Sequence, residues 1–272
     1  MQIPGLAAEV AVVTGGGGVL WRALAGSLAG QGVLLAILDI GLEAAQAIAE
    51  SIHASGGRAI AVQCDVLDRA SVEVAAGAVL AEYGKIDILV NGAGGNKPQA
   101  TADAQHSFFD MPVEALRWVY EPNFMGTLIP CQVVSRIMAE QGRGSILNIS
   151  SMAALRPLTR TVAYSAAKAA VSNFTQWLAV HLSQTYPARI RVNALAPGFF
   201  CTEQNRFLPY DQSTGDLSAR GRSILDHTPM GRFGEPGDLV PAVLWLLSEG
   251  ASFVLGAVIP IDDGGFSAFS GV

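Results

Sequence analysis

Tyr164-Ser165-Ala166-Ala167-Lys168 sets a phenol and a primary amine at i and i+4, on one face of any helix that contains them. An ammonium beside a phenol favours the phenolate and brings its proton exchange nearer to neutral pH than a free tyrosine allows. Upstream, Ser145-Ile146-Leu147-Asn148-Ile149 has the character of a buried strand and ends in Ser150-Ser151, whose second hydroxyl can donate to the oxygen that Tyr164 serves. By itself the pair would suit a surface tyrosine and a solvated lysine equally well. What the three side chains can do together is exchange a proton at an alcohol or carbonyl oxygen, with the electrons carried by a bound cofactor.

The first strand-like run, Glu9-Val10-Ala11-Val12-Val13, leads into Thr14-Gly15-Gly16-Gly17-Gly18 and then a helix starting near Leu20. Glycine lets the backbone approach a pyrophosphate, and a helix N-terminus offers unpaired amides and the positive end of its dipole. The residues of this turn expected to hold the cofactor are Gly15, Gly17, Gly18, Val19 and Leu20. Roughly twenty residues on, Leu34-Leu35-Ala36-Ile37-Leu38 ends in Asp39, a carboxylate placed to accept from an adenosine ribose. No arginine or lysine follows Asp39 before the next helix, so a 2′-phosphate would meet uncompensated negative charge, and NAD is expected in preference to NADP.

The elements that must position these groups alternate along the chain. Strands are predicted near 9–14, 33–39, 58–64, 86–91, 144–150, 189–195 and 257–261, and helices near 20–31, 41–55, 68–83, 112–140, 162–185 and 236–249. This is an α/β pattern with a buried parallel sheet, doubly wound in the Rossmann manner. No linker or repeat interrupts it, so residues 1–272 are expected to form a single domain. The rhythm lapses only near 199–235, a stretch with Pro209, Gly215, Gly221, Pro229 and Gly231 that leaves the carboxyl edge of the sheet and is expected to be a substrate lid. His227 within it is expected to pack in the lid rather than act as a second acid-base group.

Composition narrows the setting. Charged residues make up 15% and the net charge is −6, which gives no basic field for nucleic acid. Cys64, Cys131 and Cys201 are scattered, without metal-ligand spacing, so no metal is expected. Apolar runs are too interrupted to span a bilayer and no basic leader precedes the first strand, which predicts a cytoplasmic protein without membrane attachment.

Further stretches complete a resemblance that covers almost the whole chain: Cys64-Asp65-Val66, Asn91-Gly92-Ala93-Gly94, Asn123, Asn193, Pro197-Gly198 with Thr202, and Asp263-Gly264-Gly265. With the Thr14-Gly15 turn, Ser151 and the Tyr164/Lys168 pair, the sequence resembles the short-chain dehydrogenase/reductase family. The resemblance implies a seven-stranded sheet of order 3-2-1-4-5-6-7 and a homotetramer. It also implies adenine contacts from Asp65 and Val66, a cofactor pocket shaped by Asn91, Gly92, Ala93 and Gly94, and a nicotinamide flanked by Pro197, Gly198 and Thr202. Tyr164 and Lys168 would meet the cofactor as well as the substrate, and Asn123 would hold a water that relays protons to Lys168.

One departure stands out. The family's turn is Thr-Gly-x-x-x-Gly-x-Gly, and here Val19 and Trp21 replace its last two glycines while Gly18 sits one place early. Either the helix lifts, or the indole points aside into an apolar gap. Gly15-Gly16-Gly17-Gly18-Val19-Leu20, Asn91-Gly92-Ala93-Gly94-Gly95-Asn96, Phe199-Phe200 and the glycine- and phenylalanine-rich tail are similar to the D-mannonate oxidoreductases, or fructuronate reductases, within that family. That likeness implies NADH-linked interconversion of an alcohol and a ketone on a sugar acid. Asn96, Ser151, Gln204, Asn205 and Arg206 are then the substrate candidates, with Arg156 and Lys97 as other cations for the carboxylate. Another polyol or aldonate, such as gluconate or a deoxyhexonate, is the alternative substrate. A nucleotide-binding regulator without turnover is the alternative class.

Overall fold

The computed structural model describes residues 3–103, 106–201, 209–211 and 213–265. Seven parallel strands stand in the order β3-β2-β1-β4-β5-β6-β7. They are β1 Val10–Thr14, β2 Leu34–Asp39, β3 Arg58–Gln63, β4 Ile88–Asn91, β5 Arg143–Ile149, β6 Arg189–Pro197 and β7 Val258–Ile261. The helices are α1 Val19–Gly30, α2 Leu42–Ala54, α3 Arg69–Tyr83, α4 Val113–Gln141, α5 Met152–Leu155, α6 Val162–Thr185, α7 Ala219–Asp226 and α8 Pro236–Leu247. Strand and helix positions agree with expectation to within about two residues; α5 and α7 were not anticipated.

The strands are Val-, Ile-, Leu- and Ala-rich because helices cover both faces. Along β1 the period of two divides the core: Ala11 and Val13 pack with Leu24 and Leu28 of α1, Ile48 of α2 and Val243 of α8, while Val10 and Val12 pack with Val79 of α3, Met138 of α4 and Leu182 of α6. Each fully buried Leu or Ile contributes on the order of 1.5–3 kcal/mol. Local signals stop the helices. Asp68 accepts from the Ala70 amide to cap α3, and Gly84 and Gly142 end α3 and α4 at φ of 77° and 81°, where a side chain would be strained.

Register then decides where the chemistry can sit. Thr14 pairs with both Leu38 and Asn91, Asn91 with Asn148, and Pro197 with Ile261, so these carboxyl ends form one edge. Beside β1 the order turns from β2 to β4, and the crevice outside such a switch point is where open α/β sheets bind ligands. Among the described residues no helix is long and apolar enough to cross a membrane.

Candidate active site

Thr14 carries β1 into the glycine turn. Gly15 has φ of +63°, and a Cβ there would lie 2.7 Å from the Ala93 Cα, so the turn rests directly on the chain leaving β4. The Gly16 amide donates to Leu38 O (3.1 Å), Gly17 to Asp39 Oδ2 (3.0 Å) and Gly18 to Gly15 O (3.1 Å). Val19 and Leu20, the first two residues of α1, present the amides that a helix leaves unpaired. Asp39 is anchored from both sides, since its Oδ1 accepts from the Gly41 amide at 2.9 Å. Each oxygen keeps a further lone pair for a hydroxyl donor. The cradle that a Cβ would fill and the anchored acid together fit a dinucleotide's diphosphate and ribose.

Asp65 and Val66 follow β3. Asp65 Oδ1 accepts from the Leu67 amide (2.9 Å), and Val66 packs on Gly126 of α4, where a Cβ would come within 2.9 Å of its Cγ2. Asn91 is buried and donates through Nδ2 to Asn148 Oδ1 (2.9 Å) and Cys131 Sγ (3.1 Å). Asn148 in turn donates to Thr175 Oγ1 of α6 (2.9 Å), so a polar ladder ties β4 and β5 to that helix beneath the site. Burial pushes the Cys131 thiol up to about 12, which keeps it protonated.

Ser151 caps α5, its Oγ accepting from the Ala153 amide at 3.1 Å, and its hydroxyl lies near enough to Tyr164 to draw the phenol pKa down against the effect of burial. Lys168, 5% exposed, donates to Ile149 O at 2.8 Å, and its Nζ lies 5.7 Å from the Tyr164 ring centroid. The α6 turn is pinned from behind, because Ser150 Oγ donates to Lys168 O (3.1 Å) and bonds Ser172 Oγ (2.7 Å). Asn123 of α4 donates to Gly95 O (2.6 Å) and Val119 O (2.7 Å), while its Oδ1 is buried without a partner. A Cβ on Gly94 would lie 2.5 Å from that Oδ1 and 3.7 Å from Lys168 Nζ. Ser151, Tyr164, Lys168 and Asn123 are thus gathered around the β4 and β5 ends.

The electrostatics differ from expectation in one respect. Tyr164 is held above, not below, the ordinary phenol range: burial raises it and the Ser151 hydrogen bond only opposes this. Burial also brings Lys168 down to about 8, and the same desolvation that raises the phenol weakens the cation meant to lower it. Burial thus leaves the Lys168 ammonium easier to deprotonate than an exposed lysine.

On the substrate side the expected residues scatter. Asn96 is exposed and accepts the Lys97 amide (3.0 Å), and Lys97 Nζ sits 4.6 Å over the Trp118 ring. Arg156 is exposed. Thr202, Gln204, Asn205 and Arg206 lie outside the described residues, and of Val19 and Leu20 only the backbone is described. The Gly198 amide donates to Ile261 O (2.9 Å), and a Cβ on Gly198 would stand 2.7 Å from Asp262 Cα, which fixes the Pro197-Gly198 exit against β7. The excursion after it is closed at its base by pairing of Phe200 with Gly234 and contains α7. His227 is exposed and its Nδ1 bonds Ser223 O (2.7 Å), so it does not pack as expected. A cavity of about 550 Å³ beside α5 and α6 is lined by residues such as Phe108, Ala153, Ala154 and Arg160; Ser151, Tyr164 and Lys168 do not line it.

Sequence reasoning missed Ile149, Gly95 and Ser150, which anchor the reacting groups through a carbonyl or a hydroxyl. The only signal was the doublet Ser150-Ser151.

Residues 9–212 match the short chain dehydrogenase family model. An oxidoreductase of Bacillus subtilis described as uncharacterized is 46% identical over 276 residues, covering 98% of each chain. A D-threitol dehydrogenase of Mycolicibacterium smegmatis is 34% identical, covering 94% of this chain and 92% of that one. Among solved structures, a provisionally named D-mannonate oxidoreductase of Haemophilus influenzae with bound NAD superposes with a TM-score of 0.92 at 43% identity, covering 99% of this chain and 98% of that one. The chain belongs to the short chain dehydrogenase family and is an oxidoreductase of that family.

Proposed function

We propose that this family member, as one domain, interconverts a secondary alcohol and a ketone on a sugar acid of the D-mannonate/D-fructuronate type, using NAD(H) in preference to NADP(H). The observation that carries the reading is the convergence of Ser151, Tyr164 and Lys168 at the carboxyl edge, with Lys168 tied to Ile149 O. The likeness to the NAD-bound Haemophilus influenzae protein supports the substrate class and the cofactor. Asp39, held by two amides with no basic neighbour in sequence, supports NAD over NADP.

The dinucleotide, when bound, supplies or accepts the hydride at the substrate carbon. In the reducing direction Ser151 donates a hydrogen bond to the keto oxygen, and Tyr164 gives it a proton as negative charge develops there. A raised phenol pKa suits this role, since Tyr164 is fully protonated at the start. Lys168, with a pKa near 8, returns the proton to the phenolate, and the unpaired Oδ1 of Asn123 is the acceptor for a water that feeds Lys168. Oxidation runs the same transfers backwards.

Gly15, Gly17 and Gly18 would let the diphosphate approach the backbone and the amides of Val19 and Leu20 would hold it, with Asp39 on the ribose, Asp65 and Val66 on the adenine side, Asn91 to Gly94 at the middle, and Pro197, Gly198 and Thr202 at the nicotinamide. Residues 199–235 would close over the substrate, with Gln204, Asn205, Arg206 and Asn96 toward it. The half-exposed side chains Tyr120, Trp177 and Tyr186, which lie in one run of ring contacts across α4 and α6, together with fully exposed Phe253, support a homotetramer that covers them. Three free cysteines suit a reducing cytoplasm.

An absorbance assay with NADH, NADPH and a panel of keto-uronates that includes D-fructuronate tests this. Turnover on the panel with NADH is expected. Inactivity there with activity on neutral ketones or polyols would move the assignment to a polyol or other aldonate dehydrogenase, a reading that the D-threitol dehydrogenase favours.

A further inference from the structure

Trp21 occupies the place of the family's third glycine, and its surroundings show what the indole does there. The side chain is 5% exposed and belongs to the core layer that includes Leu24 and Leu195. The ring is pressed onto Gly92: a Cβ at Gly92 would overlap the indole Cζ2, Cε2 and Nε1, and one at Gly18 would meet Cδ1 at 3.6 Å. One side chain therefore touches both backbone segments that border the cofactor groove, the turn Gly15–Gly18 and the β4 exit Gly92–Gly94. Those segments are also joined where β1 leaves its pairing with β4, by the Gly92 amide shared between Thr14 O and Oγ1 (both 3.2 Å) and the close approach of Gly15 to Ala93; the indole is the side chain that spans them beyond that point.

The turn has little slack to spend on a ligand. The amides of Gly16, Gly17 and Gly18 are committed inside the fold, which leaves those of Val19 and Leu20 at the start of α1 to meet a diphosphate. Where these two amides stand relative to the β4 exit depends on what fills the gap beneath the first turn of α1. A glycine would let helix and strand meet backbone to backbone; here an indole fills the gap, and Gly92 lacks the Cβ that would exclude it.

We propose that Trp21 is a positioning residue for the dinucleotide: wedged against Gly92, it sets the separation of the two segments that grip the cofactor and thereby the affinity for it. The proposal rests on the nicotinamide-dinucleotide reading of the site. Titration calorimetry of the full-length protein with NADH tests it on Trp21→Phe, Trp21→Ala, Gly92→Ala and the double change Trp21→Gly with Gly92→Ala, with thermal melts run alongside. Trp21→Phe keeps a ring in the gap and should stay within about twofold of wild type, whereas Trp21→Ala and Gly92→Ala should each weaken NADH about tenfold. In the double variant the added Cβ no longer meets an indole, so affinity should recover relative to Gly92→Ala, a coupling that independent sites would not show. If Trp21→Ala does not fold, Gly92→Ala and the double variant still decide. Wild type that binds neither NADH nor NAD sinks the cofactor reading itself. Wild type that binds, with Kd unchanged in the folded variants and only their melting temperatures lowered, overturns the role of Trp21 and leaves the cofactor reading standing.

Discussion

At the amino edge of the sheet, Glu9, Lys85, Asp87 and Arg143 close on one another until their polar groups are paired. Asp87, 4% exposed, accepts from the Val10 amide (2.9 Å), Lys85 (2.7 Å) and Arg143 (2.9 Å), and Glu9 accepts from Arg143 at 3.1 Å. At the carboxyl edge the same strands end in polar groups with unspent capacity. Among the described residues, Asn91 Oδ1 and Asn123 Oδ1 are buried without partners, and Lys168 is buried against a carbonyl with no acid paired to it. An unsatisfied buried polar atom costs roughly 1–3 kcal/mol, so the fold tolerates at one edge what it avoids at the other. The contrast marks the edge where a ligand is expected to complete the bonding, and where stability is surrendered for chemistry.

The sharpest way to break the contrast is Tyr164→Phe. Loss of one hydroxyl at the carboxyl edge should lower kcat by about 10²–10⁴ while the melting temperature stays near wild type. Turnover within a factor of a few of wild type would remove Tyr164 from the reaction.

Lys168 gives the next largest effect, on stability. Its pKa falls from 10.5 unfolded to about 8 folded, so between those values the unfolded chain binds more protons and stability must rise with pH. Below pH 8 the full cost applies, on the order of 3 kcal/mol. Denaturant midpoints of wild type and Lys168→Met, compared from pH 7 to 10, should therefore shift in favour of wild type as pH rises. A constant difference across that range would mean that the lysine is not desolvated.

Asp87→Asn probes the opposite edge and should cost about 2–3 kcal/mol, because Lys85 and Arg143 lose their shared anion though both are partly solvated. NADH-linked kcat should not move. A matching loss of kcat would mean that the two edges are not independent.

How much of this was legible beforehand follows the range of the signals. Strands, helices, the glycine turn, Asp39, Ser151 and the Tyr164/Lys168 pair are local patterns, and they stand where spacing put them. The α7 helix was hidden because Pro209 and Gly215 before it and Gly221 within it read as loop, although Ser218, whose side chain accepts the Gly221 amide at 3.0 Å, is an ordinary helix cap. For Trp21 the structure shows the indole buried in the core and pressed on Gly92, a contact between distant segments that no local pattern carries. The amino-edge cluster had no local signal, since Arg143 meets Glu9 and Asp87 across 134 and 56 residues. The raised Tyr164 pKa required burial to be known, and a one-dimensional pattern does not carry it.

The smallest expected effect tests how completely the amino edge is matched. Glu9 and Asp87 share their cations, and Asp87 is the stronger acid: Lys85 and the Val10 amide hold its pKa below 3.8, against the opposing effect of burial. Burial and the neighbouring Asp87 push Glu9 above 4.5. A carboxyl with a raised folded pKa favours folding in its protonated form, and that advantage is lost as pH rises through the folded value. At neutral pH the Glu9 charge is thus a slight burden, so Glu9→Gln should leave stability unchanged or raise it by less than about 1 kcal/mol. Well below pH 4.5, where the wild-type carboxyl is neutral in the folded and unfolded chain alike, the difference should vanish. Asp87 behaves with the opposite sign, its contribution present at neutral pH and lost as pH falls below 3.8. A Glu9→Gln variant that loses as much stability as Asp87→Asn would show two equivalent acids at this edge, and the division into one anchoring carboxylate and one tolerated neighbour would be wrong.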